Sequence, residues 1–155
     1  MRVIFKRNGK AQGFTLVELL IVLIIIGILA GMLMLAMGAS KDKFTATKIM
    51  SDMRNIKSSV ALYQSDTGQP IPLGYDKKIG DTGSSIDKYL SNTPQGYSVK
   101  RPDENHFYVV FKGEDADPVI DKSSGVWDSL AKMNADIGLV VSKDEATATM
   151  YLVKN

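Results

Sequence analysis

One carboxylate stands where its surroundings oppose it. Glu18 lies inside the run Phe14-Thr15-Leu16-Val17-Glu18-Leu19-Leu20-Ile21-Val22, and no charged residue follows in the 21 residues from Leu19 to Ala39. A carboxylate costs about 2.5–3.5 kcal/mol near the middle of a membrane span and less near its end, so an acid here requires a partner. Within the same run Gly27-Ile28-Leu29-Ala30-Gly31 reads GxxxG, a spacing that lets two helices approach closely in lipid. Other groups that could do chemistry are sparse. Asp115, Asp117 and Asp121 put three carboxylates within seven residues, but the EF-hand spacing and its glycine are missing, and Pro118 marks a solvated turn. The chain has no cysteine and one histidine, His106, so thiolate catalysis, disulfides and Cys- or His-rich metal sites are excluded. No nucleophile motif accompanies His106, which is expected on a strand, and Phe107, Tyr108, Phe111 and Trp127 read as core. Neither an enzyme nor a cofactor site is indicated.

The elements that carry these residues follow from hydrophobic patterning. A 155-residue chain holds one globular domain and at most one accessory segment. The uncharged run has the length of a membrane-spanning helix. Beyond Ser40, Ile49, Met53, Ile56, Val60 and Tyr63 recur at steps of four and three, one stripe of an amphipathic helix. Gly68, Pro70 and Pro72 stop it, so the spacing predicts one helix from Phe14 to about Asp66, some 80 Å at 1.5 Å per residue. Residues 67–84 read as a loop, residues 85–90 as a short helix, and residues 96–100 and 106–112 as strands. Residues 123–134 read as a second short helix with Ser124 as its cap, and residues 138–142 and 147–153 as a closing hairpin with Met150 and Leu152 facing inward. The expected fold class is α+β: a long N-terminal α-helix, apolar in its first half and amphipathic in its second, packed on a small antiparallel β-sheet with one or two short helices.

Charge is divided just as sharply. The chain carries a net +2, yet Arg2, Lys6, Arg7 and Lys10 all precede Phe14 and every acid follows it; without residues 1–13 the balance is −2. Basicity confined to the first segment fits a cytoplasmic anchor by the positive-inside rule, and no basic stripe with interleaved aromatics suggests nucleic acid. A secretory signal peptide, with Ala36 and Gly38 before the cleavage point, would need a shorter apolar stretch. A plain signal-anchor gives no reason for Glu18.

The basic leader followed by Gly13-Phe14-Thr15-Leu16-Val17-Glu18 resembles the N-terminus of type IV pilins and of the pseudopilins of type II secretion. The resemblance implies that a prepilin peptidase cuts between Gly13 and Phe14 and methylates the new amine, leaving 142 residues that begin with N-methyl-Phe14. It also implies that Glu18 pairs with the Phe14 amine of a neighbouring subunit. The chain departs from many pilins in having Leu35 where a proline would kink the helix, and in lacking the C-terminal cysteine pair. The domains implied are a leader (1–13), a transmembrane and assembly helix (14–40) and a globular pilin head (41–155).

The function implied is a structural subunit of a type IV pilus-like filament. It would be held as a single-pass protein of the inner membrane with its head outside the cytoplasm, then polymerised with copies of itself. Implied partners are prepilin peptidase, an inner-membrane platform protein, an assembly ATPase and, with an outer membrane, a secretin. A type II secretion pseudopilin is the alternative, since Ala61-Leu62-Tyr63-Gln64-Ser65-Asp66-Thr67-Gly68 is similar to the end of the pseudopilin helix, although the calcium region of the major pseudopilin has no clear match. A signal-anchored periplasmic binding domain that never polymerises is the second alternative.

Overall fold

The computed structural model describes residues 13–133 and 138–153. The expected leader therefore lies outside the described residues except for Gly13, and so does Asn134 at the end of the second expected helix. Helix α1 runs Leu16–Thr67, close to the predicted span. Its end is local chemistry: Thr67 Oγ1 donates to the Tyr63 carbonyl at 2.7 Å, and Gly68, at φ +66°, turns the chain while its N–H donates to the Gln64 carbonyl. The chain divides into two units between Gly38 and Ala39.

The second unit, from Ala39 onward, is α+β. Its strands are β1 (Tyr75–Lys78), β2 (Tyr97–Arg101), β3 (Phe107–Lys112), β4 (Leu139–Ser142) and β5 (Thr147–Val153). They form one antiparallel sheet in the order β1-β2-β3-β5-β4. A short helix α2, Gly125–Met133, sits between β3 and β4 in the chain. Alternation decides which face of the sheet is covered: Tyr97 and Val99, then Phe107, Val109 and Phe111, then Ala148 and Met150, are all buried and join one core. The α1 stripe supplies the other wall. Ile49, Met53, Ile56 and Val60 are buried and Tyr63 packs on the cluster as predicted, while Ala46 and Met50 widen the stripe beyond the sequence reading. Trp127, 1% exposed, anchors α2 and donates its indole N–H to the Asp121 carbonyl at 2.8 Å. Ser124 caps α2 as expected, its Oγ accepting from the Val126 N–H.

Three expectations need correction. The predicted loop 67–84 contains β1, an edge strand whose sequence Tyr-Asp-Lys-Lys has no apolar alternation; backbone pairing with β2 makes it a strand, and that signal is absent from side-chain patterning. The helix expected over 85–90 is a single 3₁₀ turn, Asp87–Tyr89. His106 precedes β3 instead of lying on it, because Asp103 folds the turn back: its carboxylate accepts from the His106 N–H at 2.9 Å and meets Nδ1 at 2.8 Å. Met150 is buried and Leu152, partly buried, packs on the same core as expected, although the register between β3 and β5 shifts at Phe107/Tyr108.

Two positions show why side-chain size matters here. Gly113 donates to the Ala146 carbonyl and its own carbonyl accepts from both Ala116 and Ile120, so a Cβ added there would overlap the Ile120 carbonyl and the Trp127 ring. Ser59, 4% exposed, lies with its hydroxyl 2.9 Å from the Asn55 carbonyl and 3.0 Å from the Tyr89 carbonyl, tying α1 to the 3₁₀ turn.

Asp52 illustrates the cost of a half-buried charge. It accepts from the Tyr97 hydroxyl at 3.3 Å, and burial raises its pKa above the ordinary 3.8 although Tyr97 and Lys48 oppose the shift. A carboxyl with a raised folded-state pKa contributes stability that is complete below the unfolded value and is lost as pH rises through the folded one. Asp52→Asn keeps an acceptor for Tyr97 and removes the charge. Thermal melts are expected to show it at least as stable as the parent at pH 7, with the difference vanishing below about pH 4. A lower melting temperature at pH 7 would show that the charge itself is needed.

Candidate processing and assembly site

The first unit begins with a helix start built by side chains. The Thr15 N–H and Oγ1 both donate to Glu18 Oε2, at 2.8 and 2.9 Å, and the Glu18 N–H donates back to Thr15 Oγ1 at 3.3 Å. This reciprocal pattern is a capping box: the residue before the helix and the third residue within it satisfy each other's orphan N–H groups. It places the carboxylate at the positive end of the helix dipole, a favourable position. Glu18 thus has a partner inside its own chain, three residues away, in addition to any partner in a neighbour. A carboxylate accepts about four hydrogen bonds, so the box leaves room for an ammonium group. Thr15 was missed as a functional residue in the sequence reading, although Thr-x-x-Glu before an apolar run signals a helix start.

Gly13, Phe14, Thr15 and Glu18 line one open hollow, so the two residues of the expected cleavage point and the acid expected to pair come together. Phe14 is 81% exposed. Among the described residues no atom beyond its two chain neighbours lies within 4 Å of where a Gly13 Cβ would stand.

Beyond the cap, Leu16–Met34 has a mean hydropathy of 3.0 and is long and apolar enough to cross a membrane. Its large apolar side chains are between 49 and 87% exposed. Burying such a side chain is worth roughly 1.5–3 kcal/mol, so the whole segment forgoes tens of kcal/mol while bare in water. Among the described residues no atom outside the adjoining helix backbone lies within 4 Å of where a Cβ on Gly27 or Gly31 would stand.

Among the described residues no group of three His, Asp or Glu side chains is placed to hold a metal ion. Two of the three clustered carboxylates have separate partners. Asp115 pairs with Lys78 at 3.1 Å, while Asp121 accepts from the Ser123 N–H and hydroxyl, which holds its carboxyl below the usual range.

Comparison with known proteins agrees with this geometry. The family described as "Prokaryotic N-terminal methylation motif" matches residues 8–34, which include the cap and the apolar helix. The type II secretion system core protein G of Klebsiella michiganensis is 26% identical over 78% of this chain and 96% of its own length. Its counterpart in Pectobacterium carotovorum subsp. carotovorum is 25% identical over 76% and 85%, and that of Escherichia coli strain K12 is 33% identical over 39% and 42%. These relatives favour the secretion alternative over the surface-pilus reading.

The capping box generates a test of its own. Thr15→Ala should cost about 1 kcal/mol of local helix stability, so amide exchange in the first turn, measured in detergent micelles, is expected to quicken about fivefold. Exchange beyond the second turn should be unchanged, and Thr15→Ser should restore protection. Unaltered exchange in Thr15→Ala would show that the box does not hold the helix start.

Proposed function

Because this chain belongs to the type IV pilin and type II secretion pseudopilin family, we propose that it is a pseudopilin: a non-catalytic subunit that waits in the inner membrane and polymerises into a periplasmic filament that drives protein export. The observation that supports it best is the pairing of a prepilin-type N-terminus with relatives that match most of both chains and are named for type II secretion. Prepilin peptidase cuts the Gly13–Phe14 bond and methylates the Phe14 amine. A platform protein, an assembly ATPase and a secretin complete the machine.

The physics of assembly follows from the bare helix. Its apolar surface leaves lipid only for an equally apolar environment, which other copies of the same helix provide. Each copy brings one carboxylate, Glu18, and after cleavage one ammonium, at Phe14. At about 4 Å and an effective dielectric near 20 their attraction is on the order of 4 kcal/mol, enough to favour one register between neighbouring rods. Gly27 and Gly31 give those rods a face of close approach. Packing one rod against a different part of the next is a heterologous contact that does not close, which yields a fibre.

Processing is tested at position 13. Gly13→Val is expected to accumulate as full-length, membrane-bound precursor with no filament, while mass spectrometry of the parent finds N-methyl-Phe14 as its first residue. An intact Met1 on the parent's filament material would remove the basis of the proposal.

Pairing is tested at position 18, where the cap and the intermolecular role must be separated. Glu18→Ala removes both, whereas Glu18→Gln keeps a capping-box side chain and removes the charge. Both variants are expected to be cleaved and inserted yet to lose filament assembly and export of secreted substrate. Normal export by Glu18→Gln would show that Glu18 serves the helix start alone. A strain lacking the protein should lose export while keeping surface pili; loss of pili with intact export would return the pilus reading.

A further inference from the structure

The amphipathic half of α1 carries more cations than its own two acids balance. Residues 41–57 carry five Lys or Arg and two Asp, whereas residues 58–155 carry ten Lys or Arg and fourteen Asp or Glu. Lys41, Lys43, Lys48, Arg54 and Lys57 are all exposed. Among the described residues none of the five makes an ion pair, while Lys78, Lys88, Lys100 and Lys143 each have an aspartate partner. The two acids of the segment are half-buried and turned to other tasks: Asp42 lies against Gly125 at the start of α2, and Asp52 accepts from Tyr97. At 3.6 residues per turn Lys43, Arg54 and Lys57 share one flank of the helix, which is therefore cationic, whereas Lys41 and Lys48 lie on the opposite flank, Lys48 acting on Asp52; exposed Phe44 (72%) and Leu62 (56%) lie between the two flanks.

A surface of opposite character stands at one end of the sheet. The Gly113 N–H donates to the Ala146 carbonyl at 2.9 Å, so the 3₁₀ turn Gly113–Asp115 abuts the β4–β5 turn. That contact puts exposed Glu114 beside exposed Asp144 and Glu145. Glu114, Asp121 and Val119, itself 66% exposed, share one hollow with Lys122; among the described residues Lys112 and Lys122 are cations of that end without an aspartate, Lys143 being held by Asp128, so the acids there still outnumber them. Charge and apolar contact thus match on two different surfaces of one chain, the arrangement a non-closing polymer requires.

We infer that the basic flank of α1 formed by Lys43, Arg54 and Lys57 docks on the acidic sheet end, Glu114 with Asp144 and Glu145, of a second copy of this chain. The contact rests on the filament reading and adds to it a head-to-head interface outside the apolar helix. It orients incoming subunits through long-range attraction, and it weakens with salt because the groups are exposed and the screening length is about 10 Å at 0.1 M.

The test uses the full chain in cells that assemble the filament. Arg54→Glu with Lys57→Glu, and separately Glu114→Lys with Glu145→Lys, turn attraction into repulsion; each pair is expected to lower filament yield about tenfold. All four positions are exposed, so each variant should melt as the parent does. The fourfold variant restores opposite charges and is expected to return yield to within about threefold of the parent, as is co-expression of the two reversed chains. Parental yield from either reversed pair overturns the contact. So does a fourfold variant as impaired as the basic-face pair, which would mean that the face meets another polyanion such as an anionic lipid surface. Absence of filaments from the parent chain would instead sink the filament reading, and the contact with it.

Discussion

Everything in this protein is arranged around apolar surface that its own fold does not cover. Between Leu16 and Met34 the helix exposes one large aliphatic side chain after another. Water is an untenable solvent for that surface, so lipid or other copies of the helix must take its place. A charge in such a segment is tolerated only with hydrogen-bonding partners. The capping box supplies them within one chain, since Glu18 satisfies the Thr15 N–H and hydroxyl. The same carboxylate thus has a resting role in the single chain and spare capacity for an ammonium in an assembly.

The second unit meets a different demand. With no disulfide, the sheet and the amphipathic half of α1 must be held by packing alone. They share one core in which Met53, Val99, Val109, Phe111, Trp127 and Met150 are all 2% exposed or less. Polar ties then fix how the pieces meet. Ser59 bridges α1 to the 3₁₀ turn, the Tyr89 hydroxyl donates to Asp66 at the end of α1, and Arg101 reaches the Ile71 carbonyl across the connection to β1. Such ties add little stability at the surface, but each removes an alternative placement of a segment that lacks strong propensity.

Function in such a molecule lies in surfaces and not in a cleft. On the proposed reading, the apolar helix makes the chain associate and the placement of charge orients it. An amphipathic helix whose buried stripe is apolar and whose Lys43, Arg54 and Lys57 are exposed on one flank serves the core of its own domain on one side and presents charge on the other.

Much of this was legible in the residues alone, and the reason is period. The 52-residue helix, its membrane-compatible half and its core stripe at Ile49, Met53, Ile56 and Val60 are local consequences of spacing, as are the Ser124 cap and the β4–β5 hairpin. Thr15-x-x-Glu18 was equally local, and its cap could have been read from the same four residues. What the residues could not disclose depends on partners distant in the chain. Tyr75–Lys78 is a strand only because β2 lies beside it, and β5 enters between β3 and β4 for reasons of sheet packing that no single strand encodes. Gly113 is a steric requirement only because Ile120 and Trp127 converge on it, and Glu114 neighbours the β4–β5 turn only because Gly113 bonds Ala146. Local periodicity decides what each segment is, whereas backbone pairing and packing between remote segments decide which surfaces it shares.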